Sequence, residues 1–369
     1  MKNAADLVAL WQIGVDAVRG DAAVARALTE GRISKPSRIV AVGKAATAMA
    51  TPAATAWPDV PCLIITKYGH AANAPAHAKV IEAAHPVPDA ASLAAGRALQ
   101  AAISACPAGS EVLMLVSGGA SSLVEVPIED QSLETLMAST QELLAAGAPI
   151  GEMNAHRTAQ SQIKGGKLLA GFLGARVTTL ALSDVEGDAL MTIGSGIGAA
   201  PPNPAFAFHS EIIASNAIAR SAIAAASPLP VQHNSETLYD DVVALAPRIA
   251  ATLTAGAAGL YVFGGEPVVQ LPATPGLGGR NMALALGLAR EIAGRDDIRI
   301  LVAGTDGTDG PTDAAGACVD GTTWDDSGAD ALARADAYPW LEARGALVKT
   351  GPTGTNVMDV LIAHKGSAR

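Results

Sequence analysis

Six short apolar runs stand out along the chain: RIVAV (38–42), CLIIT (62–66), VLMLV (112–116), VTTLAL (177–182), LYVF (260–263) and RILVA (299–303). They lack the in-out alternation of a strand with one wet face, as expected where a sheet is covered on both sides. Between them, Ala- and Leu-rich stretches predict helices over 90–105, 133–147, 155–172, 235–255 and 280–293. Strand runs alternating with helical stretches predict α/β units, parallel sheets with helices packed on both faces.

Length turns this pattern into two units. At 369 residues the chain exceeds the roughly 250–300 residues at which a single core stops growing. The expected fold is two Rossmann-like α/β domains with mostly parallel sheets and an interdomain cleft. The Pro-rich AAPPNPAFAF (199–208) reads as extended or irregular, and SPLPVQHNS (227–235) as the connection. That sets a boundary near residue 230, with domains over 1–230 and 231–369. The opening MKNAADLVALWQIGVDAVRG carries Asp6 and Asp16 through its apolar stretch, so it reads as an amphipathic helix and not as a leader peptide.

Composition narrows the partners. Charged residues make up 16% of the chain, against about 25% in an ordinary globular protein, which suits a large buried sheet. The net charge of −10, without a basic cluster, argues against nucleic acid and against anionic membrane surfaces. No apolar stretch approaches the ~20 residues of a membrane span. The three cysteines, Cys62, Cys106 and Cys318, are far apart and form no metal-knuckle spacing, which fits a reducing cytoplasm. A small-molecule partner and a cytoplasmic location are expected, with a homodimer as the expected assembly.

Candidate chemistry lies just beyond the strand ends, where open α/β sheets bind ligands. RIVAV runs into Gly43-Lys44, VLMLV into SGGASS (117–122), VTTLAL into SDVEGD (183–188), LYVF into Gly264-Gly265-Glu266, and RILVA into GTDGTDG (304–310). In SGGASS, Gly118 and Gly119 let backbone N–H groups converge on an anion, and the hydroxyls of Ser117, Ser121 and Ser122 add donors; an ordinary βα turn is the alternative. Gly278 and Gly279 before Arg280 repeat the theme. Lys44 and Arg280 both stand near helix starts, where the helix dipole disfavours a cation unless an anion is near. Asp184, Glu186, Asp188, Asp306, Asp309 and Asp313 offer hard oxygen ligands of the sort Mg²⁺ takes beside phosphate. Each of them serves equally as a helix cap or turn brace. There is no GxxxxGK[ST] and no GxGxxG after the first strand, which counts against a P-loop and a nicotinamide enzyme. His85, in HPVPD, is read as facing the cleft, and His156 as a residue on a helix surface or behind the ligand contacts.

Together VGKAA, HPVPD, VSGG, IKGGK, LSDVEGD, GGE, GGRN, GTDGTDGPTDAAGA and TGPTGTNV resemble the glycerate 2-kinase (MOFRL) family, often labelled hydroxypyruvate reductase. The resemblance implies two α/β domains, transfer of the γ-phosphoryl of ATP to the 2-hydroxyl of D-glycerate with Mg²⁺, and catalytic roles for Lys44 and Arg280. On that basis Ser117, Gly118, Gly119, Ser121, Gly265, Glu266, Gly278 and Gly279 are expected to seat the nucleotide. Asp184 and Asp188 are expected to hold the metal, and Asp306 or Asp309 to orient or deprotonate the hydroxyl. The chain departs from the family at Ala120, Thr158, Ala159, Ile197, Met282, Ala283 and Met358, where glycine, polar residues or, at Ile197, proline are usual. If these face the cleft, the substrate or the phosphate grip differs, as in a paralogue acting on another 2-hydroxy acid. The weighed alternatives are an NAD(P)-dependent hydroxypyruvate reductase and a non-catalytic sensor of a nucleotide or hydroxy acid.

Overall fold

A computed structural model describes residues 4–129, 131–145 and 150–367. The chain forms two compact units: Arg19–Ser215, and Met1–Val18 together with Asn216–Arg369.

In the Arg19–Ser215 unit, β1 (Arg38–Val42), β2 (Cys62–Lys67), β3 (Lys79–Ala83), β4 (Glu111–Val116), β5 (Arg176–Leu182) and β6 (Ala207–Ala214) form one sheet. Its order is β3-β2-β1-β4-β5-β6, and every pairing is parallel. β1 lies central, Ala41 pairing with Ile64 on one side and Leu115 on the other, and its last four residues are buried. β3 and β6 escape the sequence pattern because they lie at the edges, where partial exposure dilutes the apolar run.

The helix Ala90–Ser104 starts where Asp89, the last residue of HPVPD, accepts from Ser92 N at 2.9 Å while Ser92 Oγ accepts from Asp89 N at 3.1 Å, a capping box. The helix expected over 155–172 is instead Ile150–Ala159, followed by a loop and a 3₁₀ turn at Lys167–Gly171. Gly165 and Gly166 break it, their N–H groups donating to the carbonyls of Ser195 and Gly196 at 2.8 and 3.0 Å. The helix expected over 133–147 is Leu133–Ala145, and residues 146 and 147 lie outside the described residues.

The second unit departs from a mostly parallel sheet. Its strands are β7 (Val231–Glu236), β8 (Gly259–Gly265), β9 (Ile298–Gly304), β10 (Gly316–Asp320), β11 (Leu347–Val348) and β12 (Asp359–Lys365), in the order β11-β10-β9-β12-β8-β7. Only β7 and β8 pair parallel. β9 reaches β10 through a loop without a crossover helix, which forces antiparallel pairing, and β12 inserts antiparallel between β8 and β9. β7 occupies much of the expected connection, and the helix placed over 235–255 begins only at Val242, capped by Asp241 Oδ1 on Val243 N at 2.8 Å.

Residue 230 therefore falls inside this unit, whose chain re-enters at Asn216. The N-terminal helix Ala4–Val18 also belongs here. Leu7, Trp11 and Val15 pack with Ile223 against Leu260, Val262, Leu301 and Ile362 on one sheet face, and the helices Val242–Ala255 and Arg280–Glu291 cover the other. An amphipathic helix goes to whichever sheet leaves a face bare.

Candidate active site

The parallel sheet has a switch point: from β1 the chain builds outward through β2 and β3, then returns to place β4 on β1's other side. Open α/β sheets bind ligands outside the carboxyl ends of their strands at such a point. The turns after β1 and β4 are tied together there, Lys44 N donating to Gly118 O at 2.9 Å and Ala45 N to Ser117 Oγ at 3.1 Å. A methyl group on Gly118 would sit 1.8 Å from Asp184 Oδ2, and one on Gly119, whose φ is +82°, would sit 2.9 Å from His85 Cδ2 and 3.1 Å from Lys44 Cγ. Only glycines allow these side chains so near the backbone. Lys44, His85 and Asp184, contributed by the ends of β1, β3 and β5, thus meet over the turn that follows β4.

Burial, reinforced by the charge of Lys44, pushes the His85 imidazole down to about 4, so it is neutral at physiological pH. Burial raises the Asp184 carboxyl, and Lys44 pulls the other way. The serine hydroxyls expected as free donors are largely taken up. Ser121 Oγ lies 2.8 Å from Ser195 Oγ, which donates to Asn154 Oδ1 at 2.8 Å, and Ser122 Oγ donates to Pro86 O at 2.7 Å. Buried hydroxyls satisfy one another within the protein. Ser117 Oγ accepts from Ala45 and retains its own hydrogen. Asp188, with φ of +52°, has an enclosed Oδ1 without a hydrogen-bond partner among the described residues, while Glu186 is exposed.

In the second unit Arg280 opens its helix already paired with carboxylates. Its Nε and NH2 donate to Asp359 Oδ2 and Oδ1 at 2.6 and 3.3 Å, and its NH1 to Glu266 Oε1 at 2.7 Å. Burial disfavours the guanidinium charge, but Asp359 and then Glu266 outweigh it and hold the group above its usual range. Asp359, which the sequence reading missed, is buried, accepts also from Asn281 Nδ2 at 2.9 Å, and pairs in register with Gly265 and Gly304. Its place straight after the TGPTGTNV block, at the start of the last strand, was the available signal.

The three loop aspartates find separate partners. Asp306 Oδ1 accepts from Thr308 N at 3.0 Å and braces its own turn. Asp309, 3% exposed, accepts from Asn281 N at 3.1 Å and Met282 N at 2.8 Å, capping the helix Arg280–Glu291. A methyl on Gly279 would sit 2.3 Å from Asp309 Cγ, and one on Gly278 would sit 3.2 Å from Ala335 O. The space over this glycine pair is therefore filled by the cap and by backbone, not left for an anion. Asp313 lies on the surface, bonded by Tyr338 Oη at 2.7 Å and near Lys349 Nζ at 3.3 Å. Burial pushes the Asp309 carboxyl up to about 7, with its two N–H donors opposing.

Most departures from the family pattern lie in cores. Ala120 and Ile197 pack in the first unit's core, and Met282 and Ala283 in the second's. Met358 is buried, accepting from Tyr239 Oη at 3.6 Å. Thr158 is half-buried, its methyl facing Gly165, and Ala159 is exposed. Ala120, Ile197, Met282, Ala283 and Met358 thus answer to packing, whereas Thr158 and Ala159 adjoin Arg157 at the end of the helix Ile150–Ala159.

Residues 6–228 match a domain of unknown function, DUF4147, and residues 259–359 match the MOFRL family. D-glycerate 2-kinase of Thermotoga maritima is 35% identical over 94% of this chain and 95% of its own length. The chain belongs to the glycerate 2-kinase family. The crystal structure of glycerate kinase from T. maritima superposes with a TM-score of 0.87 at 32% identity, covering 98% of both chains. An Agrobacterium vitis protein with a provisional hydroxypyruvate reductase name is 36% identical over 87% of this chain and 85% of its own. No helix among the described residues is long and apolar enough to cross a membrane.

Proposed function

We propose that this protein is an ATP-dependent kinase that phosphorylates the 2-hydroxyl of D-glycerate or a closely related 2-hydroxy acid, giving the 2-phosphate. The convergence of Lys44, His85 and Asp184 over Gly118-Gly119 at the sheet's switch point carries this reading. Phosphoryl transfer asks mainly for positioning and charge neutralisation. The bond from the γ-phosphorus to its bridging oxygen breaks, a bond to the acceptor oxygen forms, and the hydroxyl proton leaves. Lys44 neutralises charge on the transferring group. His85 lines the site without adding negative charge that would repel phosphates. Ser117 and the Gly118-Gly119 backbone seat phosphate oxygens. Arg280, held by Asp359 and Glu266, is a second catalytic cation. Asp309 is left out of the chemistry because both its oxygens serve backbone groups, whereas Asp306 engages only Oδ1 in this way and would orient or deprotonate the hydroxyl.

Mg²⁺ fits the remaining donors. Among the described residues no group of three or more His, Cys, Asp or Glu is arranged to cage a metal. Asp184 and the unpartnered Asp188 Oδ1 match an ion held by one or two carboxylates with phosphates and waters. Bound there, Mg²⁺ would screen phosphate charge.

The reductase alternative finds no glycine fingerprint to support it, and absence of a nicotinamide absorbance change with hydroxypyruvate is expected. ADP release across a panel of 2-hydroxy acids tests the kinase. Lys44→Ala is expected to cut turnover by about 10²-fold, the usual loss for a major electrostatic stabiliser. Full activity in that variant, or no ADP with any acid, refutes the proposal. A cytoplasmic setting and a homodimer accompany this reading, and sedimentation tests the dimer.

A further inference from the structure

Arginines of this chain are commonly paired: Arg32 with Glu211, Arg220 with Glu236, Arg280 with Asp359 and Arg295 with Asp297. Four half-buried cations of the Arg19–Ser215 unit have no side-chain hydrogen-bond or ion-pair partner among the described residues: Arg38 at the start of β1, and three others, Lys44, Lys67 and Arg157. A charge partly withdrawn from water without a counter-ion is costly. The nearby carboxylate of Glu125 is committed to the buried Lys164.

The three cations share one neighbourhood. Lys67 is the last residue of β2, Lys44 follows β1 and His85 follows β3, so adjacent strands β3-β2-β1 deliver them to one edge. Arg157, from the helix Ile150–Ala159, lines a small cavity with Pro88, Ser121 and Ser122, next to the His85 segment. The charges of Lys44, Lys67 and Arg157 all act on His85. Asp184 stands on the opposite flank, at the end of β5, where the metal donors are. The β2-β3 flank thus gathers positive charge beside a neutral imidazole, with Glu82 of β3 accepting from Gly69 N at 2.8 Å and Glu125 held by Lys164.

We propose that Lys67 and Arg157, with Lys44, form the seat for the carboxylate of the acceptor acid, leaving the β5 flank to the nucleotide phosphates and metal. A guanidinium fork suits a planar carboxylate, which it grips with two parallel hydrogen bonds. The assignment deepens the kinase reading and rests on it.

The test is steady-state kinetics with D-glycerate and ATP varied separately, on the wild type, Lys67→Met, Arg157→Ala and Arg157→Lys, with thermal midpoints as the folding control. In Lys67→Met and Arg157→Ala the KM for the acid is expected to rise at least about tenfold, with the KM for ATP within about twofold of wild type; Arg157→Lys should recover part of the loss. An unchanged acid KM in both variants overturns the seat, as does a rise in the ATP KM instead. Calorimetry of D-glycerate without nucleotide judges binding apart from turnover. Heat present in the wild type and lost in Arg157→Ala supports the seat, whereas no wild-type heat, or equal heat in both, overturns it. Wild-type protein that binds the acid but transfers no phosphate would sink the kinase reading alone.

Discussion

Replacing Asp309 separates a capping role from a chemical one. Its two oxygens accept from Asn281 N and Met282 N at 3.1 and 2.8 Å, and it is 3% exposed. Asp309→Ala removes both acceptors. A lost cap costs about 0.5–2 kcal/mol and each enclosed donor left unmade about 1–3 kcal/mol, so allowing for overlap a loss of about 2–4 kcal/mol is expected. Asp309→Asn keeps one acceptor but turns its amide nitrogen toward the other N–H, a cost of about 1–2 kcal/mol by the same values.

The pH dependence adds a sign. Burial pushes this carboxyl up to about 7, against about 3.9 in the unfolded chain. The folded state therefore holds a proton that the unfolded state has lost, so the group's stabilisation is complete below about pH 4 and lost as pH rises through 7. Between pH 5 and 8 the wild type should lose on the order of 2 kcal/mol that Asp309→Asn does not. The Asn variant's deficit should thus shrink toward zero at pH 8. Urea unfolding followed by tryptophan fluorescence reads this, since Trp11, Trp324 and Trp340 all lie in the same unit as the cap. An Asn variant as stable as wild type at pH 5 but crippled in turnover would show that the carboxylate serves the reaction, and the capping argument would fall.

Gly118→Ala should drive its methyl into the Asp184 carboxylate, 1.8 Å away. A stability loss of about 1–3 kcal/mol, as for other overpacked sites, is expected together with a raised Mg²⁺ requirement in ADP release. Unchanged melting and unchanged metal dependence would show that Asp184 moves aside freely. For His85, the folded imidazole titrates at about 4 against an ordinary value of 6.5, so the unfolded state binds more protons and stability falls as pH drops from about 6.5 to 4. Allowing for its partial exposure, the effect is on the order of 1–2 kcal/mol. Melting temperatures of wild type and His85→Gln should diverge over that pH range, and parallel curves would contradict the neutral imidazole.

The sequence by itself determined what local pattern controls. Strands buried on both faces show as continuous apolar runs, and all six runs are strands. Gly43-Lys44 and SGGASS follow two of them directly, so the strand-end turns that the fold ties together were readable from the chain alone. The DGTDG loop was readable as a turn, but not its loyalties. Whether Asp309 caps a helix or faces a ligand depends on Asn281 and Met282, nearly thirty residues away and brought near by strand order. The same holds for Asp359 under Arg280, for the antiparallel insertion of β12, and for the first helix joining the last strands. That the charges of Lys67 and Arg157 bear on one imidazole is likewise invisible in spacing. Apolar runs and glycine turns are encoded within a few residues because backbone sterics and burial act locally. Partner choice is settled only when the sheet closes and each buried polar group must find the one complement within reach.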